Sequence, residues 1–189
     1  LIGRPDVELI VRSGDMRGLL AQLDAHALDV VLANSAPPQD SRSEFRGHLL
    51  ARQPVSLVGR PRPSRRTFHF PDDLRTEPIL LPSLDSEIRQ AFDRIVELAG
   101  IRPIVHAEVD DMAMLRLLAR SRDGVTLVPP IVVRDELEQG VLVELVRIED
   151  IAESFYAITQ KRRFPNPLLA DLIGEAKRAR PGRESTVMG

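Results

Sequence analysis

Cysteine is absent from the sequence, which excludes disulfides and thiolate metal sites. A basic excess is absent too. The formal net charge is −2, whereas gripping nucleic acid requires a clear surplus of Lys and Arg. No apolar run approaches the ~20 residues of a membrane span, so no membrane partner is expected. The opening LIGRPDVEL does not have the pattern of a signal peptide, which makes the cytoplasm the expected location. No methionine stands at position 1, and the chain reads as a fragment.

Enzyme signatures are equally scarce. There is no G-x-S-x-G elbow and no Walker loop. His106 and Glu108 match the H-x-E of zinc deaminases, but that site needs cysteine ligands. The four histidines, His26, His48, His69 and His106, are scattered. A lone histidine in a strand such as His106 is expected to be packed. Asp72 and Asp73 read as the cap of a helical turn, and Met112 and Met114 as packing. The expectation is no enzyme and no cofactor, with any metal left undetermined.

What is present is a globular α/β pattern. The 189 residues are 43% hydrophobic, enough for one large domain or two small lobes. Residues 107–130, AEVDDMAMLRLLARSRDGVTLVPP, are the most legible stretch. They predict the end of a strand, a helix and a second strand. Asp110 and Asp111 offer carboxylates to the free amides of the helix start. Met112, Leu115, Leu118 and Ala119 give it an apolar stripe. Gly124 stops it. Residues 125–128 are apolar and β-branched, as in a buried parallel strand, and Pro129 and Pro130 end that strand.

Along the chain, residues 7–11 read as a strand. Ser13 or Asp15 caps a helix with Leu19, Leu20 and Leu23, and residues 29–33 form a second strand parallel to the first. Residues 45–57 predict one or two strands interrupted at Pro54. Residues 59–66, GRPRPSRR, read as a solvated basic loop. Residues 78–82 form a short buried strand. The following helix carries Ile88, Phe92, Ile95 and Ala99 on one face and closes at Gly100. A short helix at 134–139 ends at Gly140, residues 155–159 form a strand, and Pro165 and Pro167 suit the start of a last helix. Residues 179–189 are expected to be a disordered tail.

Strands and helices alternate, so the class is α/β. Two groups of βα units flank the loop near residues 59–70, and the last strand and helix have no neighbours close in sequence. A chain that enters a second lobe and returns explains this. The expected division is residues 1–70 with 159–178 as lobe I and 71–158 as lobe II, with a cleft between them and crossings near 68–73 and 155–159. In lobe II, Ser83, Asp85 and Ser86 would stand at one helix start and Asp110 and Asp111 at another. Both face the strand-end edge where α/β sheets bind ligands. The alternative for all five is capping alone. Their carboxylates disfavour an anion, while Arg116 and Arg120 are expected to face solvent.

Residues 5–33, PDVELIVRSGDMRGLLAQLDAHALDVVLA, resemble the early effector-binding domain of LysR-type transcriptional regulators. Residues 123–130, DGVTLVPP, resemble its glycine-hydrophobic-proline segment, and residues 138–145 the continuation. Arg122 stands where that family usually has glycine. Residues 68–93, FHFPDDLRTEPILLPSLDSEIRQAFD, and 155–169, FYAITQKRRFPNPLL, resemble the branch that regulates sodium/proton antiporter genes. The resemblance implies a two-lobed fold like that of type 2 periplasmic binding proteins, lacking its first strand and helix. It implies a small-molecule or ion effector, possession of which the five residues above would serve, and self-association as a dimer or tetramer. DNA would be contacted only through a winged helix-turn-helix domain outside this chain. Two other classes share the pattern: the solute-binding protein of a transporter, and a small α/β enzyme.

Overall fold

The computed structural model describes residues 5–38, 44–62, 67–121, 124–161 and 166–178. Arg122, Pro165, the second half of the basic loop and the tail at 179–189 lie outside these. The chain divides into two compact units, residues 1–52 with 154–189 and residues 53–153. These limits fall inside two strands. The first lies upstream of the crossing expected near residues 68–73.

In the first unit, α1 (Met16–Asp24) starts at Asp15, whose carboxylate accepts from the Gly18 amide at 2.9 Å. Asp15, and not Ser13, is therefore the cap. Leu20 and Leu23 pack with Val31 of β1 (Val31–Ala33) and with Ile158. β1 pairs antiparallel with the end of β6 (Val143–Gln160), Val31 opposite Ile158. The strand expected at residues 7–11 does not form, and β1 has no parallel partner among the described residues. Leu9, Ile10 and Val11 are exposed. Alternation makes a strand only where a neighbour receives its hydrogen bonds, and no described strand pairs there.

The second unit holds the larger core. Its strands lie in the order β2 (Phe45–Gly59), β5 (Val125–Val128), β3 (Pro78–Pro82) and β4 (Ile104–Val109). β3 is parallel to both β4 and β5, and β2 runs antiparallel to β5. β2 continues through Pro54, contrary to the expected interruption. Its pairing with β5 begins only at Ser56, so on that side the missing proline amide breaks no ladder bond.

β3 and β5 are covered on both faces. On one face Ile79, Leu81, Val125 and Leu127 meet Ile88, Phe92 and Val96 of α2 (Glu87–Leu98). On the other, Leu80 and Val128 meet Leu115 and Ala119 of α3 (Met112–Ser121). The buried stripe of α2 thus runs 88, 92, 96. Ala99, expected on it, lies exposed just beyond the helix. Met112 touches both cores, but Met114 is half exposed and does not pack as expected. Gly124, at φ +116°, turns the chain into β5, and a Cβ there would sit 2.5 Å from the Pro78 carbonyl oxygen.

α4 (Arg134–Glu138) follows β5 after a 3-10 turn at Pro130–Val133. β6 is far longer than the residues 155–159 read from sequence. Its early part carries exposed charges at Glu144, Arg147, Glu149 and Asp150. α5 (Pro167–Arg178) begins at Pro167, where the ring's fixed φ suits a first helical position.

Candidate functional site

β3, β4 and β5 all end at one edge of the second unit. The turn after β3 leads to α2 on one face, and the turn after β4 leads to α3 on the other. Departure to opposite faces is the switch point at which α/β sheets receive ligands. The Ser83 amide donates to the Val109 carbonyl at 3.1 Å. That bond sets the first turn directly beside the end of β4, so both groups of predicted residues share this edge.

Within the first turn the Ser83 hydroxyl donates to Asp85 Oδ1 at 2.5 Å, and the Ser86 amide donates back to the Ser83 carbonyl at 3.0 Å. Ser86 is the N-cap of α2 by backbone, its carbonyl accepting from Gln90. Its hydroxyl makes no capping bond and is enclosed without a partner among the described residues. Asp111 caps α3, accepting from the Met114 amide at 2.8 Å. Asp110 is exposed beside it. Asp85, Asp110 and Asp111 have no ion-pair partner among the described residues. No group of three or more His, Asp or Glu there is arranged to hold a metal ion.

Arg89 of α2 and Arg116 and Arg120 of α3 are already engaged by acidic residues. Arg89, 7% exposed in the first turn of α2, was not singled out from sequence. It donates to the Pro82 carbonyl, to Glu108 and to Asp93. A charged residue read as the wet side of an amphipathic helix hides such a role, because only the fold shows which acceptors lie beneath it. Arg116 does not simply face solvent as expected. It donates from Nε to both oxygens of Glu136 at 2.9 Å and reaches Asp135, while Arg120 lies 3.5 Å from Glu136. Glu136 is buried on α4. That hydrogen bond raises the Arg116 pKa above its ordinary value.

The remaining predicted polar residues have ordinary duties. Asp73 does not cap its turn. Its side chain accepts from the His69 amide at 3.0 Å. His106, expected to be packed, is exposed on β4, the edge strand. His48 meets Thr159 at 3.0 Å in the first unit.

Glu144 of β6 supplies a pH-dependent contact. It accepts from Arg147 at 2.8 Å and from the buried Ser56 hydroxyl at 3.0 Å. The Arg147 bond, then the Ser56 bond, hold its carboxyl below the ordinary range. A carboxylate with a lowered folded pKa stabilises above its unfolded value and loses that contribution as pH falls through the folded one. Glu144→Gln should therefore lower stability by less than about 1 kcal/mol at neutral pH, since the pair is partly solvated. Urea unfolding should show the difference shrinking below about pH 4.3, the free glutamate value. A gap that widens in acid would contradict the assignment.

Strands buried on both faces, with helices leaving to opposite sides of a shared carboxyl edge, define an α/β domain of the type 2 periplasmic-binding-protein kind. Residues 3–181 match the family model described as the LysR substrate binding domain, and the chain belongs to that family. It is 22% identical over 149 residues to the transcriptional activator protein NhaR of Escherichia coli, a match covering 79% of this chain and 49% of that protein. NhaR of Shigella flexneri matches equally. The chain thus spans about half the length of these curated relatives. Among solved structures it is similar to DarR of Vibrio fischeri in complex with DNA, with TM-score 0.71 and 18% identity, covering 93% of this chain and 59% of that one. The regulatory domain of HypT from Salmonella typhimurium in its apo form gives TM-score 0.68 and 18% identity, with 93% and 83% covered. The matched relatives are transcriptional regulators.

Proposed function

We propose that this chain is the effector-binding and oligomerisation domain of a cytoplasmic transcription regulator, controlling a winged helix-turn-helix domain attached to it. The observation that carries this reading is the family match over nearly the whole chain. In this reading the two compact units are the two lobes. DNA contact belongs to the attached domain, in keeping with a net charge of −2 here. The likeness to DarR, whose structure includes DNA, supports the same division of labour.

The effector site is the edge carrying Ser83, Asp85, Ser86, Asp110 and Asp111. It offers hydroxyl and carboxylate oxygens whose charge has no paired cation among the described residues, which favours a cationic or neutral effector over a dicarboxylate. Sodium, or a pH signal, agrees with the resemblance to antiporter regulators. The similar effector domain of QuiR is in complex with shikimate, a carboxylate, so charge preference is a point on which family members would differ. Calorimetry with sodium chloride, calcium chloride and succinate checks this. We expect cation binding that Asp110→Asn weakens by about tenfold, the effect of losing one charged contact. Succinate binding at micromolar concentration, with no cation effect and no change in Asp110→Asn, would reject the site.

Self-association is expected to use residues 7–11 and α2. Leu9, Ile10 and Val11 are exposed, as is Leu98 at the end of α2, at 89%. A two-fold axis would bury each contact twice. Light scattering should give a dimer or tetramer at micromolar concentration, and Leu98→Glu with Ile10→Glu should shift it toward monomer. A purely monomeric wild type would end this part of the proposal.

A further inference from the structure

We propose that Arg89 is the positioning residue of this edge, holding the turns after β3 and β4 in register so that their oxygens face one ligand. The inference rests on the reading of the edge as the effector site.

Its placement breaks a local rule. Arg89 is the third residue of α2. The amino end of a helix carries partial positive charge and favours carboxylates, not cations. The side chain is also buried, and desolvating a guanidinium is costly unless its donors are satisfied. A leucine or methionine would fill the same space without that cost, so packing alone does not account for an arginine.

Its contacts supply the account. Nη1 donates to the Pro82 carbonyl at 3.0 Å and to Glu108 Oε2 at 3.2 Å. Nε donates to both oxygens of Asp93 at 2.9 Å. Pro82 is the last residue of β3, immediately before Ser83. Glu108 lies two residues before Asp110, near the end of β4. One rigid guanidinium therefore joins the ends of two strands to the helix that follows the first. The planar fork makes the three directions fixed relative to one another. Asp93 and Glu108 also engage its charge, so Arg89 forms no ion pair with Asp85, Asp110 or Asp111.

Amide hydrogen exchange on the protein, with Ser83 as the reporter of the bond to Val109, tests this. Arg89→Met keeps the apolar stem and removes the fork. Exchange at residues 83–86 and 109–111 should rise by about tenfold, the order expected for losing hydrogen bonds to a charged donor. Protection of Thr126, in the middle of the core, should stay unchanged. Arg89→Lys, which keeps the charge but not the planar fork, should leave Ser83 exchange between that of wild type and that of Arg89→Met. Calcium and sodium titrations of the same proteins should follow the same order.

Unchanged Ser83 protection in Arg89→Met would overturn the proposal. So would a rise spread evenly over residues 53–153, which marks a merely structural residue, or a lysine variant as protected as wild type, since a point charge would then suffice. If Arg89→Met does not fold, Glu108→Gln, which weakens one arm only, is read in the same way. If wild type binds neither cation, the effector reading of the edge fails, while the exchange pattern alone still decides whether Arg89 holds the turns.

Discussion

Gly124→Ala should destabilise the protein by about 3 kcal/mol, combining left-handed backbone strain with forced overpacking. Two independent causes act at this position. The backbone sits at φ +116°, and an added Cβ would meet the Pro78 carbonyl oxygen at 2.5 Å. That oxygen belongs to the first residue of β3, whose pairing with β4 and β5 prevents it from moving aside. Gly100 provides the control. It has φ +64°, but no atom lies within 4 Å of its would-be Cβ. Gly100→Ala should cost only the left-handed penalty, about 1 kcal/mol. Thermal unfolding at neutral pH separates the two, because a chain of this size loses about 3 °C per kcal/mol. Equal shifts for both variants would show that the close approach of residues 124 and 78 carries no weight.

Phe92→Ala should be costlier still, at about 4 kcal/mol. The ring is fully buried on α2, with its centroid 6.2 Å from that of Phe70 and the planes tilted by 38°. It packs among Ile79, Leu81, Val125 and Leu127, so it joins helix, β3 and β5 in one core. Truncation removes its transfer energy and leaves a cavity between elements that the sheet pairing holds apart. Urea unfolding should show a lower midpoint with nearly unchanged slope. A loss below about 1 kcal/mol, typical of a surface change, would mean that α2 does not pack on this face.

The α/β class, the order of helices and most strand positions were legible because local physics and tertiary fold agree there. Residues 107–130 show this best. Asp111 caps, Leu115 and Ala119 face inward, Gly124 turns and all of β5 is buried. The failures have a common cause. The strand expected at residues 7–11 and the break expected at Pro54 were judged from the segment alone. Whether either forms depends on which neighbour lies alongside, and neighbours far apart in sequence are invisible to periodicity. β6 was cut short for a related reason. The exposed charges Glu144, Arg147, Glu149 and Asp150 follow no two-residue alternation, so the segment carries no strand signal of its own.

The candidate edge was half legible. Caps and strand ends follow from residue type, so Ser83 to Ser86 and Asp110 with Asp111 could be placed at helix starts. The arginines could not. Arg89, Arg116 and Arg120 all occupy helices whose charged positions read as solvated. The first is buried on three acceptors, and the others reach acidic residues on α4. Pairing across elements gives no signal in a single sequence, because its geometry exists only after the helices have docked.

The division of the chain into one continuous unit and one split unit also orders its synthesis in time. All the residues of the second unit lie between 53 and 153, so its core is complete when the ribosome has made and released that length. The first unit is different. β1 finds its partner only when residues 156–158 emerge, and Leu20 and Leu23 wait for Ile158. Domains fold as units during synthesis when their segments are available. Until then, the apolar side chains of α1 and β1 remain uncovered in the nascent chain, a window in which a chaperone has something to hold. Folding of the second unit shortens that window's last step, because an ordered insert restricts the loop that must close between residues 31 and 158.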